Sequence, residues 1–269
     1  MSETILTPEA VPTPPPPGRA GERVSVIAYP LATFVILLLA WQFLVRQFGV
    51  PGYILPVPSE FLAKLVEARA IIWPNTLVTS YEIVLGFILA VVVSVPLGFV
   101  IVSVRVLERS VYPLVVFLQL VPKIAVAPLF VVWFGFGAFP KVLFTFMLCF
   151  FPVLVSSMAG FRALDERVLY LTRSMGASWW QTFRYVRLPA AMNFIFAGLK
   201  VAIVFAATGA IVAEFVGANA GLGYLLLRGT SYMDMPLIFA VLVALSLVGL
   251  IFSYAVQLIE NFLMPWQRR

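Results

Sequence analysis

The sequence predicts an all-α integral membrane protein of about six transmembrane helices carrying a cytoplasmic loop of two short helices, and three observations support this. Hydrophobic residues make up 62% of the chain and charged residues 11%, whereas soluble globular chains run near half apolar and a quarter charged. The apolar residues fall in long runs, and a helix needs roughly 20 of them to cross a bilayer. The 269 residues leave room for only short connections between such runs, and most of the charges collect there.

Residues 1–23 are polar and proline-rich, with Pro14 to Pro17 consecutive. That composition cannot bury a core and favours an extended, solvated tail, so it reads as a disordered cytoplasmic leader, with 24–267 as the membrane domain. The first apolar run covers Val24 to Phe48, interrupted near its end by Arg46. Residues 50–74 turn polar, and Ser59 followed by Glu60 reads as the cap and first turn of a short helix on the outer surface. The second span, Asn75 to Val104, is apolar apart from Glu82 near its start. The third begins near Ser110 and contains Pro113, Pro122 and Pro128, which remove backbone donors and kink or break it. Broken helices persist at membrane depth only where protein or a water-filled cavity satisfies the freed groups, so this span is the candidate pathway lining. After Gly135, Gly137 and Pro140 a fourth span runs from Lys141 to Gly160, followed by the charged stretch 161–190. A fifth span covers Asn193 to Val216, a glycine-rich loop extends to Asp234, and a sixth span runs from Pro236 to Leu263.

Composition excludes several functions. Cys149 is the single cysteine, in an apolar run, and reads as a small buried hydrophobe; histidine is absent. No intrachain disulfide can form, and the usual ligands of zinc, haem and iron–sulfur sites are missing, as is any histidine base. Cys149, Ser156 and Ser157 therefore lack the partner of an intramembrane nucleophile, and Glu82 with Glu214 matches no acid-pair motif. A secondary transporter working alone calls for inverted repeats and several intramembrane charges, and neither is evident. The net charge of +6 would suggest nucleic acid only if the basic residues shared one solvated face, and they are scattered between spans. The N-terminus lacks the features of a cleaved secretory signal, so the first run is expected to stay.

Orientation follows from counting. With the N-terminus in the cytoplasm, six spans place 11 basic residues inside: Arg19, Arg23, Arg105, Arg109, Arg162, Arg167, Arg173, Arg184, Arg187, Arg268 and Arg269. Outside fall 5, namely Arg46, Lys64, Arg69, Lys141 and Arg228. The excess obeys the positive-inside rule and assigns both termini and the 161–190 loop to the cytoplasm. Lys123 and Lys200 remain within spans. Lys123 either faces an aqueous interior, where it would attract an anion, or snorkels to a surface; Lys200, near the cytoplasmic end of its span, is expected to snorkel. Glu214, near the outer end of the fifth span, is either an interface residue or part of an outer gate. Trp41, Trp73, Trp133 and Trp266 read as interfacial anchors.

The loop reads as two helices with defined ends. Asp165 and Glu166 stand where the helix dipole favours acids, and Leu164, Val168, Leu171 and Met175 recur at helical spacing. Gly176 supplies a left-handed stop. Ser178 with Gln181 matches a capping box, opening a second helix with Trp179, Phe183 and Val186 on one face before Pro189 ends it. Such a pair either lies in the headgroup layer or offers a docking surface to another protein.

The run Arg173-Ser-Met-Gly176-Ala177-Ser178 through Val186-Arg-Leu188-Pro189 resembles the loop signature of binding-protein-dependent ABC importer permeases: a glycine, an aliphatic residue ten positions on, and Leu-Pro one residue beyond it. Where the family has Glu-Ala-Ala before the glycine, this chain reads Tyr170-Leu171-Thr172. Pro122 to Gly137, with Lys123, Pro128 and Trp133, resembles the subfamily serving nitrate, sulfonate, taurine and thiamine-precursor or related heterocycle uptake, as do Gly86, Glu214, Gly221-Leu-Gly223 and Pro265-Trp266. The resemblance spans about residues 30–267 and implies a type I ABC importer fold in the bacterial plasma membrane. It further implies a homodimer of permeases, two ATPase subunits docking on Asp165, Glu166, Leu171, Thr172, Arg173, Met175 and Gly176 to Ser178, and an extracytoplasmic solute-binding protein. The sequence holds no Gly-x-x-x-x-Gly-Lys-Ser/Thr phosphate loop, so no cofactor is expected on this chain, with ATP and Mg on the ATPase partner. The cargo expected is a small polar solute, an organic anion or a heterocycle.

Overall fold

The computed structural model describes residues 19–265; the side chains of 19–27 and of Glu166, the leader over 1–18, and Trp266, Arg268 and Arg269 lie outside the described residues. The described residues form helices α1 (Arg19–Gln47), α2 (Pro58–Glu67), α3 (Arg69–Ser103), α4 (Arg105–Leu120), α5 (Lys123–Phe134) and α6 (Ala138–Arg162). The loop contributes α7 (Glu166–Ser174), α8 (Trp179–Thr182) and a π turn (Phe183–Arg187), and α9 (Leu188–Gly217), α10 (Leu222–Ser231) and α11 (Met235–Leu263) complete the chain. Five helices are long and apolar enough to cross a membrane, and α4 with α5, bent by 81° at their junction, make a sixth where the pair counts as one broken span.

Several boundaries differ from expectation, each for a local reason. Ser59 is not the cap of α2: Val57 takes that position and Pro58 the first turn, where a missing N–H removes no helical bond. Ser59 instead exchanges two hydrogen bonds with Gln42, tying α2 to α1 (3.0 and 3.1 Å). α3 starts at Arg69 and has 35 residues, about 52 Å at 1.5 Å per residue, so it outruns a hydrocarbon core of about 30 Å. Of the three prolines in the third span only Pro122 sits at the break; Pro113 and Pro128 lie inside α4 and α5. Pro189 ends no helix. It occupies the first turn of α9, and the Leu188 N–H reaches back five residues to Phe183 O, so α8 runs through the π turn into the fifth span. The glycine-rich stretch before Asp234 contains the largely buried helix α10.

The core is the α3–α6–α9 contact. Lipid supplies no hydrophobic drive between helices, so membrane interfaces use small residues that let backbones approach. A Cβ on Gly86 would lie 2.6 Å from Thr145 Cβ, and one on Gly98 3.0 Å from Ser157 Cβ. Ala191, Ala202, Ala206 and Ala210 of α9 are fully buried. α1 is held differently: Trp41 packs against Phe61 and Phe239 with centroids 5.6 Å away in each case. Trp41 is thus an internal contact rather than an interfacial anchor, while Trp73 and Trp133 are exposed as expected. Lys200 is ion-paired with Glu260 across α9 and α11, its side chain still partly exposed.

Candidate functional site

Three constellations lie along the bundle, and the loop is the first. Asp165 is the N-cap of α7, its Oδ1 accepting from Arg167 N at 2.9 Å. The helix stops in a Schellman arrangement: Gly176 has φ +74°, its N–H donates to Arg173 O at 3.0 Å, and Ala177 N–H donates to Thr172 O at 3.1 Å. Thr172 Oγ1 turns inward to Leu169 O, 2.9 Å away. The predicted capping box is formed in full, Ser178 Oγ accepting from Gln181 N (3.2 Å) and Gln181 Oε1 accepting from Ser178 N (2.7 Å). Trp179 stacks on Phe183 with planes 5° apart, and Phe183 lies 4.6 Å from Phe99 of α3, so the second loop helix is pinned to the bundle. The first one keeps its apolar face free: Leu171 is 62% and Met175 77% exposed. Leu188 and Pro189 are half-buried in the first turn of α9.

The α4–α5 break forms the second. Lys123, just past Pro122, donates to Gln119 O at 3.3 Å and lies 4.9 Å over the Phe151 ring. Phe151 is midway along α6, so the ammonium stays at the break instead of reaching an end of the bundle. One side of α5 is buried through Ala127 and Phe130, while Leu120, Ile124 and Val132 are exposed around the break.

The third is a polar lock at the end opposite the loop. Glu214 of α9 is fully buried; its Oε1 accepts from Thr79 Oγ1 at 2.7 Å and its Oε2 from Gly223 N at 2.5 Å. Thr79 Oγ1 accepts in turn from Leu222 N (2.8 Å), and Asn75 Oδ1 from Gly221 N (2.6 Å). These bonds satisfy the first N–H groups of α10, which no helical carbonyl can reach. Beside them Lys141 is ion-paired with Glu82, and Glu82 is close enough to interact with Glu214. Of the predicted site residues only Glu214 belongs to this cluster; the sequence offers Glu82 beside it only as an acid pair without a motif, places Lys141 on the outer side, and gives Asn75 and Thr79 no role. The spacing of Asn75, Thr79, Glu82 and Gly86 holds the missed signal, since steps of four, three and four place them on one helical face. Both carboxyl groups are shielded from solvent, which makes them interior struts and not an acid pair open to a substrate.

A bundle of long apolar helices, with one break beside a lysine and a short helix pair joining α6 to α9, defines a polytopic membrane protein. The chain belongs to the family of binding-protein-dependent transport system inner membrane components, whose pattern matches residues 82–269. It is 34% identical over 241 residues to the formylaminopyrimidine transport permease protein ThiX of Halalkalibacterium halodurans, covering 89% of this chain and 96% of that one. Identity is also 34%, over 237 residues, to the riboflavin transport system permease protein RibX of Chloroflexus aurantiacus, with 87% and 88% covered. The taurine transport system permease protein TauC of Escherichia coli is 24% identical over 243 residues, 88% of each chain. The fold matches that of the inward-facing MetNI methionine ABC transporter with a TM-score of 0.62 at 18% identity, over 76% of this chain and 99% of that one.

Proposed function

We propose that this chain is the permease of an ATP-driven importer, working as a homodimer with two ATPase subunits beneath the loop and an extracytoplasmic solute-binding protein at the opposite end. The observation that carries the reading is the exposed apolar face of α7, with Leu171 and Met175 in the open beside a left-handed Gly176. An apolar patch on a polar loop marks an interaction site. The partner ATPase holds ATP and Mg, and closure of the ATPase pair pushes α7. Because α8 continues into α9 and is pinned by Phe183 to Phe99 of α3, that push is transmitted to the core helices, shifting the dimer between two states of similar energy. Pro122, Lys123 and Pro128 face the second copy and line the pathway, where Lys123 meets a polar or anionic group of the cargo. The named relatives favour a small polar solute of the thiamine-precursor, riboflavin or taurine kind.

The loop and both termini lie in the cytoplasm in this reading. Cys149, the native cysteine, is buried and bonded to Ala202 O at 3.2 Å, so a Ser178→Cys chain reports loop position with little background. Labelling from inside only is expected; labelling from outside only would reverse the topology.

Gly176→Val tests the coupling. A β-branched residue in the left-handed region costs roughly 1–2 kcal/mol, which is relieved by turning α7 away from α8. In vesicles containing the assembled transporter, stimulation of ATP hydrolysis by the loaded binding protein is expected to fall close to the unstimulated rate. Gly176→Asn, which tolerates this conformation, should retain most of it. Equal stimulation in Gly176→Val and the native chain would remove α7 from the coupling path.

A further inference from the structure

At the loop end, a cavity of about 480 Å³ opens between the start of α4, the end of α6, α7 and the π turn. Arg105, Glu108, Arg162, Arg173 and Arg187 line it. Glu108 is already engaged: Arg162 holds it at 2.5 and 2.7 Å and stacks over Tyr112 at 5.0 Å. Arg105, Arg173 and Arg187 have no carboxylate partner among the described residues. Three guanidinium groups with no carboxylate partner among the described residues therefore line one concavity whose apolar wall is Val102, Phe161 and Leu164. Guanidinium forks match phosphate oxygens in pairs. The cavity also sits where helix ends leave the bilayer, beside the exposed Trp179 and Trp180, and the aromatic belt marks the headgroup level.

We infer that this cavity is a phosphate site, occupied by the headgroup of an anionic phospholipid whose glycerol and first acyl carbons lie along the Val102–Phe161 wall. Basic pockets between helices on the cytoplasmic side of a membrane take such headgroups. The lipid bridges Arg105 and Arg187 and so links the start of the broken span to the foot of α9. Its placement in the inner leaflet rests on the orientation proposed above, but headgroup preference does not.

The test uses the full permease–ATPase complex equilibrated with mixed phosphatidylglycerol and phosphatidylcholine micelles, the retained lipid being counted by native mass spectrometry. The native complex is expected to retain phosphatidylglycerol several-fold over phosphatidylcholine, and Arg105→Gln with Arg187→Gln to lose that preference. Neither change unpairs a carboxylate. Arg109→Gln, an exposed arginine outside the cavity, should keep the preference. Arg105→Lys, which keeps the charge without the fork, should fall between and serves if the double variant fails to fold. Equal retention of the two lipids by the native complex, or an unchanged preference in the double variant, overturns the site. Loss of retained phosphatidylglycerol on adding inorganic phosphate would show that the free ion is the occupant and overturn the lipid. If the double variant instead fails to hold its ATPase subunits while still binding the lipid, the arginines belong to the protein interface and the proposal is wrong. Labelling of Ser178→Cys from outside would overturn the orientation while leaving the lipid count valid.

Discussion

Glu214→Leu is expected to loosen the end of the bundle opposite the loop and to lower the melting temperature on the order of 5 °C. The Glu214 carboxyl accepts from Thr79 Oγ1 and Gly223 N, and Thr79 in turn accepts from Leu222 N. Leucine removes the acceptor: the Thr79 hydroxyl can turn to Asn75 O, 3.2 Å away, but Gly223 N–H is left without a partner in a site with no solvent access. A buried donor left without a partner costs about 1–3 kcal/mol, so the substitution removes roughly that much from the 5–15 kcal/mol that holds a typical domain. Gln keeps one acceptor oxygen but turns an NH₂ toward a donor, so Glu214→Gln should lie between. Thermal unfolding of the purified chain in detergent, followed by the cleavage rate within 218–221, measures both effects. A Glu214→Leu chain melting within about 2 °C of the native one would show that the first turn of α10 does not depend on this carboxyl.

Much of the architecture was legible because lipid leaves the chain so few choices. Spans must be apolar and helical, so five or six candidate spans, a break among the prolines of the third, and the loop with its Gly176 stop and Ser178 cap could be read from composition and spacing. Boundaries were harder wherever a residue has two meanings. Pro189 reads as a helix stop but sits where a proline is welcome, in a first turn, and only the π bond from Leu188 to Phe183 makes α8 and α9 continuous. Gly221, Gly223 and Gly229 read as a loop, yet Gly229 lets Ile238 approach and Gly223 lets its backbone meet Glu214, so both serve helix packing. The polar lock was illegible for another reason: its members come from α3, α6, α9 and α10. Glu82 and Lys141 look like one charged residue at a span end and one in a loop until the fold pairs them.

The lock and the loop sit at opposite ends of the same three helices. Glu82 lies 21 residues from Ser103 along α3 and Lys141 lies 21 residues from Arg162 along α6, about 32 Å in each case. That distance equals the thickness of the hydrocarbon core, so the ion pair stands at one headgroup level when the helix ends near the loop stand at the other. α10, carried on the lock, is therefore a fixed lid over α3 and α9, while the exposed face of α7 at the other end is free to be pushed.

Lys141→Met is expected to be the more damaging half of an asymmetric pair. Breaking a buried ion pair by removing one partner costs about 3–5 kcal/mol, because the other charge is left uncompensated. Here the two halves differ in what remains. Without Lys141, the Glu82 and Glu214 carboxyl groups face each other with no cation between them; without Glu82, Lys141 still has the attraction of Glu214. Glu82→Gln should thus destabilise by clearly less than Lys141→Met. The double change should recover much of the loss, since apolar or neutral replacement of both partners removes the desolvation of both charges. A double-mutant cycle on thermal unfolding in detergent gives the coupling directly, expected at roughly 1–3 kcal/mol. Additive losses would mean that the two side chains do not sense each other, and an equal loss from each single change would mean that Glu214 does not share the lysine.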